Sequence, residues 1–93
     1  TGLRNVLYEI KKTTFKNVHL QETDFTDADL SGSVFEKCDL TRTVFHNTIL
    51  EKVDFYSSFG YSIDPEMNRL KKAKFSSNGI AGLLTKYDID ILD

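Results

Sequence analysis

Thr23-Asp24-Phe25-Thr26-Asp27-Ala28-Asp29-Leu30-Ser31-Gly32 contains two copies of a five-residue pattern, and that pattern decides the fold. Around it, a large apolar residue falls every fifth position: Phe15, Leu20, Phe25, Leu30, Phe35, Leu40, Phe45, Leu50 and Phe55. Neither a helix, with a period of 3.6, nor a flat strand, with a period of 2, would keep these side chains on one face. A strict internal repeat is the signature of a solenoid. Two positions before each large residue stands a small or β-branched one: Thr13, Val18, Thr23, Ala28, Ser33, Cys38, Thr43, Thr48 and Val53. The residue between them is usually polar, as at His19, Asp24, Asp29, Asp39 and Asp54.

Phe and Leu alternate without a miss. If the chain turns a corner after each five residues, four fives close one square coil and residue n lies under residue n + 20. Phe15, Phe35 and Phe55 then stack on one side, Leu20 and Leu40 on the next, Phe25 and Phe45 on the third, Leu30 and Leu50 on the fourth. Each layer holds two rings and two leucines, an arrangement that fills a narrow interior without voids.

A small residue, then Asp, then Phe or Leu, then two variable residues: this unit resembles the pentapeptide-repeat family. The match covers residues 13–57. The resemblance implies an all-β solenoid, a right-handed quadrilateral β-helix, with the large and small residues pointing in and the other three pointing out. It implies no single function, since a fold hosts many.

The ends read differently. In residues 3–10, Leu3, Val6, Leu7 and Ile10 fit a helical spacing. The rival reading is a degenerate repeat centred on Ile10, so residues 1–12 form an N-terminal cap or a worn repeat. The pattern breaks at Gly60 and the turn signal Asp64-Pro65. Leu70 and Phe75 then return in register with Leu50 and Phe55. Residues 58–75 are therefore expected to form an irregular last coil, closed by Phe59, Tyr61 and Ile63.

Residues 76–93 are expected to form a C-terminal capping helix followed by a strand. Ser76, Ser77 or Asn78 would cap the helix N-terminus, and Ile80, Leu83, Leu84 and Tyr87 share one helical face. Asp88-Ile89-Asp90-Ile91 alternates as a strand does. With Leu92, this tail carries more apolar residues than one square coil can cover, and such a surplus marks a partner surface. The stretch from Lys74-Phe75 through Ile80-Ala81-Gly82-Leu83-Leu84-Thr85-Lys86-Tyr87 to Leu92 resembles the end of the quinolone-resistance (Qnr-type) pentapeptide proteins. That resemblance implies a two-fold dimer joined tail to tail, with Ile89, Ile91 and Leu92 crossing to the mate. A two-fold contact is self-complementary and closes the assembly.

The 93 residues make one small domain with a net charge of −2. Acids and bases nearly balance, so no general nucleic-acid footprint is expected. The single cysteine excludes an internal disulfide and fits a reducing compartment. There is no signal-peptide pattern and no membrane-spanning run, so a cytoplasmic protein is expected. The chain opens Thr1-Gly2 without a starting Met. A processed or trimmed chain, from a parent with further coils upstream, is the expectation.

Catalytic chemistry is not expected. Zinc wants about four converging ligands, whereas Cys38 holds an inward slot and His19 and His46 point outward from different sides. Asp24, Asp29, Asp39 and Asp54 suit corner turns. Gly79-Ile80-Ala81-Gly82 lacks the Lys-Ser/Thr pair of a phosphate loop. A filled solenoid offers no pocket, so neither enzyme activity nor a cofactor is foreseen. Val34, Val44 and Ile49 are outward apolar residues on different sides and form no patch.

Function then rests on surfaces: a protein-interaction module with an unidentified protein partner. The alternative comes from the Qnr-type resemblance, which implies an imitation of duplex DNA that binds DNA gyrase and changes quinolone sensitivity. Residues 13–57 hold eight acids (Glu22, Asp24, Asp27, Asp29, Glu36, Asp39, Glu51, Asp54) and four bases (Lys16, Lys37, Arg42, Lys52), a net of −4. B-DNA carries about six charges over the roughly 11 Å these coils would span. The density is of the same order, but the pattern is broken by lysines. Asp24, Asp27 and Asp29 are the candidate acidic surface.

Overall fold

Residues twenty apart lie side by side through the regular coils. The computed structural model describes residues 10–92. Strand β1 (Thr14–Lys16) pairs in parallel with β2 (Val34–Glu36), Phe15 opposite Phe35. Single parallel bridges continue the register on all four sides: His19 to Asp39 to Phe59, Asp24 to Val44, Asp29 to Ile49 to Arg69, and Val34 to Asp54 to Lys74. Strands are short because every side is only a few residues long before a corner.

Each corner follows from local chemistry. The N–H three residues after a large residue bonds back to its carbonyl, as in Thr23 to Leu20 (3.1 Å), Ala28 to Phe25 (3.0 Å) and Thr43 to Leu40 (3.1 Å). Two positions after the large residue the backbone turns left-handed. This recurs at Lys12, Asn17, Glu22, Asp27, Gly32, Lys37, Arg42, Asn47, Lys52 and Lys72. For a non-glycine residue this conformation costs of order 1 kcal/mol. The coil offsets it with a further inter-coil bond at the same residue, as in Asn17 N–H to Glu36 (2.8 Å) and Lys52 N–H to Lys71 (3.0 Å).

The core is four columns of side chains. Phe15, Phe35, Phe55 and Phe75 stack with ring centroids 4.8, 5.2 and 5.1 Å apart and planes within 6°. Phe25 and Phe45 stack at 5.6 Å in a second column, edge-on to the first. Leu30, Leu40 and Leu50 are fully buried. Ile10, Phe15, Leu20, Leu70, Phe75 and Leu83 are partly buried against this core.

The small slots do more than leave room. Ser33 donates its hydroxyl hydrogen to the Ile10 carbonyl (2.9 Å), Thr43 to Leu20 (2.6 Å), Thr48 to Phe25 (2.9 Å) and Ser58 to Phe35 (2.5 Å). The Cys38 thiol does the same toward Phe15 (3.2 Å) and the Asn68 amide toward Phe45 (3.0 Å). Ser33, Ser58 and Asn68 also accept from the N–H groups of Thr13, Cys38 and Thr48. These buried polar groups stitch successive coils, which is what makes them tolerable in a core.

The two readings of residues 3–10 lie outside the described residues except at Ile10. Its N–H donates to the Asp29 carbonyl (3.0 Å), the bond that a large coil residue makes. In the last coil, Gly60 stands where a large residue would be due. Its φ of +81° and the 2.5 Å that would separate a Cβ from Thr41 Oγ1 explain the glycine. The chain gains its inward residue one position late. Tyr61 fills the core, 5.6 Å from Phe55 and 5.5 Å from Phe75, and Ile63 is buried beside it. Phe59 stays in the outward column below Asp39 and is exposed, so it does not help close the coil.

The cap is not an α-helix. It is two 3-10 turns, Ile80–Leu83 and Thr85–Tyr87. Their bonds run from residue i + 3 to residue i: Gly82 to Gly79, Leu84 to Ala81, Tyr87 to Leu84 and Asp88 to Thr85. Two glycines in four residues favour no α-helix, and Gly82 packs directly on the Tyr61 backbone. The tighter winding turns Leu83 toward the core but leaves Ile80 and Tyr87 about half exposed. Residues 88–92 make no strand; Asp88 takes a left-handed conformation and the tail is exposed.

Candidate interaction surfaces

The outward aspartates tie down corners. Asp24 accepts the N–H (2.8 Å) and hydroxyl (2.5 Å) of Thr26, Asp29 those of Ser31 (3.0 and 2.6 Å), and Asp39 those of Thr41 (3.0 and 2.6 Å). Asp54 accepts from the Tyr56 N–H (2.9 Å). Asp27 takes a bond from the Asn47 amide one coil on (2.8 Å). Asp24, Asp27 and Asp29 thus carry structural bonds, and their columns do not continue as acids. Val44 follows Asp24, and Ile49 then Arg69 follow Asp29. Lys11 lies 3.4 Å from Asp29.

These bonds set the acid response. For Asp39 the Thr41 hydroxyl and N–H hold the carboxyl below its usual range, against a smaller push from burial. For Asp29 burial pushes up most strongly, but the Ser31 bonds and Lys11 together outweigh it and the net shift is down. A carboxyl whose folded pKa is depressed stabilises the fold above the unfolded value and loses that contribution as pH falls through the folded one. Asp39→Asn is therefore expected to be less stable than the parent at neutral pH. Denaturant titrations at a series of pH values should show that difference shrinking below the ordinary value of 3.8. A difference constant through the acid range would contradict the assignment.

The imidazole and thiol groups do not converge. Cys38 is buried and bonded to Phe15. His19 lies in the column of Asp39, and His46 on the next side. Among the described residues, no group of His, Cys, Asp or Glu could hold a metal ion, and no helix is long and apolar enough to cross a membrane.

The C-terminal end is different in kind. Ile80, Tyr87, Ile89, Ile91 and Leu92 are all exposed, Leu92 by 89%. Leu84 is half-buried, and Leu83 turns into the core. Of the seven apolar residues that the sequence groups here, Leu83 thus serves the stack and five are exposed. Lys86 fastens the cap: its ammonium lies 3.3 Å from Asp64 and pairs with Glu66. The bond to Glu66 is the main reason the lysine pKa is raised. The Glu66 N–H, chiefly, holds the Asp64 carboxyl low.

What sequence reasoning missed is the hydrogen-bond role of the small slots. The signal was present: most of these positions carry a hydroxyl, thiol or amide, and six of them (Ser33, Cys38, Thr43, Thr48, Ser58 and Asn68) donate it to a carbonyl of the coil before.

A family model described as "Pentapeptide repeats" matches eight copies of its unit, over residues 11–47 and 19–55. Among solved structures, a trypsin-treated form of QnrB1, a plasmid-mediated fluoroquinolone resistance protein, superposes with a TM-score of 0.57 at 16% identity. It covers 90% of this chain and 43% of its own. A second trypsin-treated form of QnrB1 gives a TM-score of 0.48, also at 16% identity, covering 91% of this chain and 42% of its own. The chain spans less than half the length of these structures. A search of curated proteins finds no match.

Proposed function

From the premise that residues 11–55 belong to the pentapeptide-repeat family, whose fold is the right-handed β-helix, we propose that the chain is a non-enzymatic protein-interaction module that dimerises through its C-terminus. The observation that carries this reading is the exposure of Ile80, Tyr87, Ile89, Ile91 and Leu92 at one end of a stack whose other large apolar residues are mostly buried. Clustered apolar surface at a solenoid end is costly unless a partner covers it. The rigid coils leave their polar outer faces free for a further protein partner. A filled core and corner-bonded aspartates offer a surface rather than a reaction centre.

Light scattering tests the dimer. The parent is expected at about twice its 10.6 kDa mass, and Ile89→Asp/Ile91→Asp at half the parent value with an unchanged circular dichroism spectrum. A monomeric parent would remove the proposal.

The alternative, a DNA-mimic that binds DNA gyrase and modulates quinolone sensitivity, draws on the fold likeness to QnrB1. It has less support from the surface. Arg42 pairs with Glu22 at 3.1 Å, Lys16 with Glu36 at 3.9 Å, and Val44, Ile49, Arg69 and Lys74 interrupt the acidic columns. A supercoiling assay with purified gyrase decides it: no effect at micromolar protein leaves only the interaction module.

A further inference from the structure

The inter-coil ladder has one gap in its last layer. Bridges join Asp39 to Phe59, Ile49 to Arg69 and Asp54 to Lys74, but none joins Val44 to Asp64. On the other three sides the large residue donates down the stack: Leu40 N–H to Phe59 (2.9 Å), Leu50 N–H to Arg69 (2.8 Å), Phe55 N–H to Lys74 (2.8 Å). The Phe45 N–H has no such bond among the described residues. An open groove bordered by Val44, Phe45, His46, Ser62, Asp64 and Lys86 lies where the ladder stops.

The segment that should have filled the ladder bonds elsewhere. Ile63 N–H donates to the Gly82 carbonyl at 2.9 Å. The Ser62 and Thr85 hydroxyls meet at 2.7 Å. Lys86 reaches across to both Asp64 and Glu66. Gly79 and Gly82 lie against the Tyr61 side chain, so closely that a Cβ at either would overlap Tyr61. The side chains of Ser62 and Asp64 and the Ile63 N–H therefore bond to the cap, and the tie from this segment to the stack is the Asp64 carbonyl, which accepts from the Asn68 amide at 2.9 Å. The further connections to the stack sit at the two edges of the segment. Gly60, at φ +81°, follows the Phe59 bridge. Beyond Glu66, the Met67 carbonyl and Asn68 side chain bond to residues 45–48.

We propose that residues 61–66 and 79–87 form one body that opens from the end of the stack as a unit, hinged at Gly60 and Met67, with Lys86 as its latch. Tyr61 and Ile63 are its plug: they close the core column below Phe55, and opening withdraws them together. Local opening in contiguous units is the usual form of sub-global unfolding. Here the unit is discontinuous in sequence because its bonds are.

Amide hydrogen exchange of the full chain, resolved by NMR, tests this. The Ile63, Leu84 and Tyr87 amides should exchange at a common rate, faster than Leu30, Leu50 and Phe55. Lys86→Gln should accelerate the first three in step by up to about fivefold, the upper end of what a partly exposed ion pair supplies, and leave the coil amides unchanged. Lys86→Arg, which keeps the charge, should stay near the parent. The proposal is overturned if Ile63 exchanges with the coil amides, or if Lys86→Gln accelerates Leu84 and Tyr87 while Ile63 keeps its parent rate.

Discussion

Phe35→Ala is expected to destabilise the chain by about 3–5 kcal/mol, the cost of truncating a fully buried aromatic residue. The Phe35 ring is sandwiched between Phe15 at 4.8 Å and Phe55 at 5.2 Å, and meets the edges of Phe25 and Phe45 at 6.1 and 6.3 Å. In a solenoid each coil contacts only its neighbours, so a hole in the middle layer cuts the stack in two. Small domains hold about 5–15 kcal/mol in total, so this variant should melt far below the parent or fail to fold. Val44→Ala is the control: Val44 faces outward and is partly exposed, and its loss should change stability by about 0.5 kcal/mol or less. Chemical denaturation followed by circular dichroism measures both. Equal, small effects would mean that the column does not carry the fold.

Gly82→Ala is expected to cost about 1–3 kcal/mol, the usual range for overpacking a filled site. The added methyl would lie 2.3 Å from the Tyr61 carbonyl oxygen and 3.0 Å from its ring. The nearest obstacle is backbone, so relief requires the cap to lift away from residues 61–63. That movement would stretch the Ile63-to-Gly82 bond and pull Leu83 from the core. A fluorescent apolar probe should bind the variant more strongly than the parent as the Tyr61 ring, against which Gly79 and Gly82 lie, becomes accessible. An alanine with parent stability would show that the cap does not dock on Tyr61.

The solenoid was legible because one number, the five-residue period, fixes both the corners and the register. Phe15, Phe35 and Phe55 share a column because they are twenty apart, and no other geometry is needed to see it. The last coil was less legible. Gly60 breaks the period for a reason that lies in Thr41, a contact between coils with no trace in local sequence. Phe59 and Tyr61 therefore exchange the roles that hydrophobicity alone would assign, Phe59 going outward and Tyr61 inward.

The cap shows the limit of periodicity. Ile80, Leu83, Leu84 and Tyr87 have helical spacing, yet the backbone winds as two 3-10 turns because Gly82 must pack flat on Tyr61. The aspartates show a different limit. Asp24, Asp29 and Asp39 each precede a Thr or Ser by two residues, and that pairing, rather than the count of acids, determines what they bond to.

Small-angle X-ray scattering of the purified chain tests the proposed function most directly. One protomer measures 41 Å in its longest dimension and 23 Å across. Joining two through Ile89, Ile91 and Leu92 predicts a rod about twice as long at an unchanged cross-section. A particle of single length, or a dimer that has widened without lengthening, would contradict a seam at the C-terminal tail.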